Sequence, residues 1–371
     1  MTRLGRSPLL SDQGVSVLEV GRASVGDPDF WTFGRLLDHV CGANDPVVPQ
    51  MRHNRVMIAF RRASRARTLI VASALALGLV AAATGCSSSS STSAATKSAS
   101  AKSTDSSTIT KGTGTVDVLY AGSLVDLMEK GVGPAYDKAT GYTFQGFSGG
   151  SNALAAEITG KTQQGDVFIS AAPAVNQLLE GAANGDWVSW YATFASSKLV
   201  IGYNPASTFA SQLTSKPWYD VVGETGFKLG STDALLDPKG KLGNQALTDA
   251  ATKHDKPELA TLAGSFNNVQ PEESLVGRLQ AGQLDAAFFY ASEAKAAGIK
   301  TVPVTGEDLK AIYTVTKLKG APNSSGADAF IQYLLGEEGQ ARMKKLGYDI
   351  TSPATVTGTG VPATLKALFA K

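Results

Sequence analysis

Two short segments of the chain place glycine and serine directly ahead of helical patterns: Ala121-Gly122-Ser123-Leu124 and Ser148-Gly149-Gly150-Ser151. A helix N-terminus offers unpaired N–H groups and about half a positive charge, glycine lets a ligand approach the backbone, and a hydroxyl adds a donor. Together these features suit an oxyanion. Gly-Ser ahead of a helix also serves as plain capping, so each loop by itself leaves both readings open. Covalent chemistry has little to work with. After Cys86 the sequence has no further cysteine and a single histidine, His254, in the polar stretch Lys253-His254-Asp255-Lys256. A Ser-His-Asp triad would have to recruit that histidine, and the His and Cys spacing of a zinc site is absent. A secreted hydrolase is therefore the remote alternative to a binding protein.

Strands and helices must bring the two loops together. Residues 116–120 read as a short apolar strand, 124–139 as a helix closed by Gly141, 142–147 as a strand, 151–159 as a helix and 166–170 as a third strand. Further on, 198–203 is a strand, 275–281 is helical and ended by Gly282, and 284–290 is a buried strand. Ala327, Phe330, Ile331, Leu334 and Leu335 mark one face of an amphipathic helix running toward Gly347. Alternating strand and helix predicts an α/β fold with mostly parallel sheets and helices on both faces. In such a sheet both Gly-Ser loops leave at the same edge.

The N-terminal part of the chain carries an address. Arg61 to Ser91 contains four arginines, an apolar run from Thr68 to Ala83, small residues, and Cys86 opening a serine tract. The run is shorter than the roughly 20 residues a membrane span needs, and basic flank, short apolar core and small residues make a secretory signal. A short anchor helix with a chance cysteine is the alternative. A signal should begin close to the first methionine, so translation is expected to start at Met57 or Met51, with 1–56 a mis-annotated extension. Residues 1–85 hold 10 of the 34 basic and 6 of the 32 acidic residues, which leaves 24 against 26 and a mature chain of about −2. That balance argues against nucleic acid as a partner. Cys41 lies in the extension, so the folded part has no pair of cysteines for a disulfide. Ser87 to Gly112 has no large apolar side chain except Ile109 and reads as a flexible tether.

The sequence around the loops resembles a family. Ala-Thr-Gly-Cys86 is similar to the lipobox of bacterial lipoproteins, in which the cysteine is acylated and becomes the mature N-terminus. From there VLYAGSLVDLMEKGVGPAYDKATGY, GGSNALAAEI, GDVFISAA, SKLVIGYNPAS, TDALLDPKG, EESLVGRLQAGQLDAAFFYASEA and AFIQYLLGEEGQARMKKLGY follow the order of the motifs of molybdate/tungstate-binding proteins of ABC importers, above all the archaeal-type binders. The resemblance implies the two-lobed periplasmic-binding-protein (type II) fold, with the ligand between lobes that close like a trap. With the extension (1–56), the lipoprotein signal peptide (57–85) and the Ser-rich tether (86–113), it divides the rest of the chain into lobe I (114–200 and 300–371) and lobe II (201–299). It also implies an extracytoplasmic, lipid-anchored monomer that serves an ABC permease and ATPase, with no cofactor beyond its molybdate or tungstate cargo.

Residue by residue, the resemblance makes Ser123 and Ser151 donors to the oxyanion and Asp237 and Glu272 carboxylate ligands that raise Mo(VI) or W(VI) from four- to six-coordinate. Tyr290 matches a tyrosine beside the site. Glu273 offers a competing register for Glu272, and Lys241 and Leu242 stand where the family usually has an aromatic and an arginine. Read without the family, Asp237 is a turn aspartate before proline and Glu272 a helix-start acid. Two carboxylates would repel a tetrahedral dianion by several kcal/mol at about 4 Å and an effective dielectric near 20. Bound to the hexavalent centre they attract instead, and sulfate, which cannot expand its shell, is excluded. Receptors for sulfate, phosphate or a small carboxylate, and a sensor in place of a transporter, remain the other binding readings.

Overall fold

The computed structural model describes residues 109–265 and 267–369. The expected extension, signal peptide, acylated Cys86 and most of the tether lie outside the described residues. Ten strands are described: β1 (Thr115–Ala121), β2 (Thr143–Gly149), β3 (Val167–Ser170), β4 (Trp190–Tyr203), β5 (Leu229–Thr232), β6 (Val269–Gln270), β7 (Ala286–Tyr290), β8 (Lys300–Pro303), β9 (Lys310–Lys317) and β10 (Asp349–Gly358).

β1 is flanked by β2 and β3, all parallel, as alternation with helices requires. Its register pairs Ala121 with Gly149, so the two strands end side by side and both Gly-Ser loops leave at one edge, as expected. In the second lobe β5 lies parallel to both β6 and β7. The strands that join the lobes run the other way. The first half of β4 pairs antiparallel with β9 and β10, and its second half with β7 and β8. One 14-residue strand is thereby shared by both lobes. Parallel pairing thus holds within each lobe's βα units, while the crossing strands, mostly absent from the sequence reading, pair antiparallel.

The helix expected over 124–139 is a composite: a 3₁₀ turn Gly122–Leu124, one α turn, a π turn Met128–Val132, and Gly133–Thr140. Pro134 has no N–H to return to the carbonyl four residues back, which breaks the α ladder at that point. Gly141 closes it with φ 85°. The amphipathic helix near the C-terminus is two helices, Ser324–Leu335 and Glu337–Leu346, because Gly336 takes an extended conformation between them. Ala327, Phe330, Ile331 and Leu334 are wholly buried, and Phe330 packs edge-on against Tyr136 at 5.2 Å. Helix Pro238–Lys253, in a part of the chain to which the sequence reading assigns no element, buries a face made mainly of small residues: Gly240, Gly243, Ala246, Leu247 and Ala250. His254, the histidine a triad would need, caps that helix and stacks on Tyr219 at 3.7 Å.

Candidate functional site

Ser123 sits in the 3₁₀ turn after β1, 4% exposed, with its Oγ 3.1 Å from Tyr313 Oη on β9. Ser151 opens helix Ser151–Thr159 and is fully buried, its Oγ accepting the N–H of Ala171 at 3.1 Å. The helix behind Ser151 does not present all its N–H groups to a ligand, which corrects the expectation of two free termini. Asn152 and Ala153 donate to the carbonyl of Leu236 in the second lobe at 3.0 and 3.2 Å, and Asn152 Nδ2 donates to Leu235 O at 2.9 Å. A backbone carbonyl can dock there because Gly150 has no side chain: a Cβ would lie 2.5 Å from Leu236 O.

The same closure brings the two expected carboxylates to the serine loops. Asp237 is the N-cap of helix Pro238–Lys253 and its Oδ1 accepts the Lys239 N–H at 2.6 Å. The helix-start role is thus real, yet it uses one oxygen only. Oδ2 is buried with no N–H or hydroxyl donor among the described residues, and the Asp237 carboxyl is within hydrogen-bond reach of Glu272. Glu272 opens helix Glu272–Gln280, 6% exposed, and a Cβ on Gly122 would lie 2.9 Å from its Oε2. Glu273 is exposed, so Glu272 is the acid that faces inward. Tyr290 ends β7, fully buried, with its Oη unpartnered and its ring edge-on to Tyr313 at 6.2 Å. Ser123, Asp237, Glu272 and Tyr290 therefore converge, and Ser151 stands beside them through Gly150, where a Cβ would be 3.3 Å from Asp237 Cβ.

Three residues of the site were not anticipated: Lys239, Glu293 and Tyr313. Lys239 is wholly buried, its Nζ 3.0 Å from each oxygen of Glu293 and 3.1 Å from Glu272 Oε1. It also lies over the rings of Phe289 and Tyr290 at 5.5 and 5.8 Å. Glu293 is three residues past the end of β7, in the first turn of helix Ala291–Ala296, and accepts the Tyr290 N–H at 3.3 Å. An acid at that spacing was a legible signal. The buried lysine was not.

Burial raises the Glu272 carboxyl well above the usual carboxylate range, and the neighbouring Asp237 charge adds to it against the opposing pull of Lys239. Burial also raises Glu293, with Lys239 opposing. Burial alone would lower Lys239, but Glu272, Glu293 and Asp237 outweigh it and hold the ammonium charged. The Tyr290 hydroxyl is raised well above its ordinary value by burial and then by Asp237, so it stays a donor. Clefts of about 430 and 370 Å³ flank the group, the first lined by Ser123, Ser148 and Glu293, the second by Gly150 and Asp237, and both by Glu272. The chemistry is therefore that of hydroxyl donors beside a net-acidic cluster. Among the described residues the cations there, Lys239 and, lining the first cleft, Lys130, are both paired with carboxylates, so a plain tetrahedral dianion finds none free, whereas an anion whose central atom accepts carboxylate oxygen does find partners.

Residues 116–349 match the profile of the bacterial extracellular solute-binding protein family. A relative from Haloferax volcanii, provisionally named an ABC transporter molybdenum-binding protein, is 33% identical over 181 residues, which cover 48% of this chain and 56% of the relative. The molybdate/tungstate-binding protein WtpA of Thermococcus kodakarensis is 26% identical over 277 residues, 61% of this chain and 77% of its own. Among solved structures, the sulfate-binding protein SubI from Mycobacterium tuberculosis H37Rv superposes with a TM-score of 0.50 at 13% identity, covering 69% of this chain and 92% of that one. The periplasmic binding protein AfuA from Actinobacillus pleuropneumoniae gives 0.50 at 14% identity, covering 64% and 85%. These likenesses show the two-lobed periplasmic-binding-protein fold.

Proposed function

The chain belongs to the family of bacterial extracellular solute-binding proteins, and from that premise we propose that it captures molybdate or tungstate outside the cytoplasmic membrane for an ABC importer. In this reading the two lobes close on the oxyanion, Ser123, Ser151 and Tyr290 donate hydrogen bonds to its oxygens, and Asp237 and Glu272 each give one oxygen to the metal centre. The mature chain hangs from the membrane by an acylated Cys86 and works as a monomer with a permease and an ATPase. A net-acidic site is otherwise unsuited to an anion, and the names of the relatives in Haloferax and Thermococcus agree with the cargo.

One observation carries the reading: Asp237 and Glu272 form a buried carboxyl pair beside the Ser123 loop, and among the described residues neither Asp237 Oδ2 nor Tyr290 Oη meets an N–H or hydroxyl donor. Buried polar atoms of this kind cost about 1–3 kcal/mol each unless something meets them. An oxyanion with an expandable centre would meet both. A thermal-shift screen of the purified body against molybdate, tungstate, sulfate and phosphate tests it. A ligand at about 1,000 times its dissociation constant adds roughly 4 kcal/mol, so molybdate or tungstate should raise the melting temperature by several degrees while sulfate does little. Equal stabilisation by sulfate would make the protein a general oxyanion receptor.

A further inference from the structure

Lys239 is the one buried cation of the site among the described residues, and the reading above gives it no task. A lysine ammonium has three protons to donate. Here they face three carboxylate oxygens, both of Glu293 and Oε1 of Glu272, so none is left for an anion. The backbone N–H of the same residue is bonded to Asp237 Oδ1. One residue therefore occupies one oxygen of each candidate ligand, by its backbone for Asp237 and by its side chain for Glu272. The oxygens left over are Asp237 Oδ2, which meets no N–H or hydroxyl donor among the described residues, and Glu272 Oε2, which lies against the Gly122 turn. Glu293, held in turn by the Tyr290 N–H, fixes the ammonium from behind.

We infer that Lys239 is the positioning residue of this site: it makes Asp237 and Glu272 one-oxygen ligands and so sets the coordination number, and with it the selectivity, of the bound oxyanion. The inference rests on the assignment of both carboxylates to the metal centre. Four oxygens of the anion and one from each acid complete a shell of six. An acid free to swing could instead offer both oxygens or turn away, and either change alters which anion is preferred.

X-ray absorption and titration calorimetry on the tungstate-bound protein test it, with the unmodified chain, Lys239→Met and Glu293→Gln compared. Lys239→Met keeps the backbone bond to Asp237 and, of the two candidate ligands, frees only Glu272, together with its partner Glu293. The expected result is six oxygen neighbours in the unmodified protein, a changed shell in Lys239→Met, and a loss of about 10–100-fold in tungstate affinity, as for other partners of metal ligands. Sulfate affinity should not fall in proportion. Glu293→Gln, which leaves the lysine in place but loosens it, should shift the same quantities less, and it serves alone if Lys239→Met does not fold. A shell of six in the variants, with all anions weakened equally, overturns the inference and makes Lys239 a stabiliser of the core only. Four neighbours in the unmodified protein would remove the carboxylate assignment itself, and the inference with it.

Discussion

The carbonyl of Leu236 accepts the N–H of Asn152 at 3.0 Å, joining a loop of the second lobe to the start of a helix in the first. The helix dipole that a free anion would otherwise use is thus partly spent on closing the protein. Gly150 is the residue that permits it. Gly150→Ala puts a methyl group 2.5 Å from that carbonyl, against backbone that cannot swing aside. Overpacking of this kind costs about 1–3 kcal/mol, and here it falls on the closed form. All oxyanions should weaken together, with their ranking unchanged, in calorimetric titrations with tungstate and sulfate. A changed ranking would show that Gly150 touches the ligand instead.

The acidic cluster sets a pH dependence whose sign follows from burial. Glu272 and Glu293 are both raised, Glu272 strongly, so the folded protein holds those protons more tightly than the unfolded chain. Their contribution to stability is present below the unfolded carboxylate value of about 4.3 and is lost as pH rises through the folded values. Lys239 is raised as well, and what it contributes persists until the unfolded lysine value near 10.4 is passed. The ligand-free body should therefore melt at lower temperature as pH rises from about 5 toward neutrality, relative to Glu272→Gln. Parallel melting curves for the two proteins across that range would contradict the assignment.

The sequence made one half of the site readable for a plain physical reason. Gly-Ser before a helical pattern is a local signal, and the parallel pairing that aligns Ala121 with Gly149 follows from strand and helix alternation. Asp237 and Glu272 were visible only through the family resemblance, since a capping aspartate and a helix-start glutamate are ordinary by themselves. Lys239 was invisible. A lysine reads as a solvated residue, and its burial depends on two acids far along the chain. The helix that carries it was missed for a related reason: glycines and alanines supply much of the buried face, so the hydrophobic period is faint. The first half of β4, by contrast, carries the strand-favouring Trp190, Tyr191, Thr193 and Phe194 and was a missed signal; β9 and β10 pair with it on either side.

Membrane anchoring should depend on Cys86. If the lipobox reading holds, Cys86→Ser removes the acyl chains and releases the protein from the membrane fraction, because the tether that follows has no apolar segment to hold it. Fractionation with immunodetection checks this, and retention on the membrane would refute the lipid anchor. The native precursor should yield no peptide from residues 1–50 by mass spectrometry.

Charge and hydrogen bonding at the site can be separated by two substitutions that keep its shape. Asp237→Asn preserves an oxygen to accept the Lys239 N–H, so helix Pro238–Lys253 keeps its cap and the melting temperature of the free protein should change little. What it removes is the negative charge beside the anion. Tungstate should bind more weakly and sulfate more strongly, because the group that repels an inexpandable anion is gone. Ser123→Ala should behave differently. It deletes a hydroxyl that contacts Tyr313 at 3.1 Å and is proposed to donate to the anion, and all oxyanions should lose about 1.5–3 kcal/mol, the worth of a hydrogen bond to a charged partner. Calorimetric titration of both variants with tungstate, molybdate and sulfate gives the comparison. If Asp237→Asn weakened sulfate and tungstate equally, Asp237 would be only a helix cap, and the serine loops alone would carry the binding.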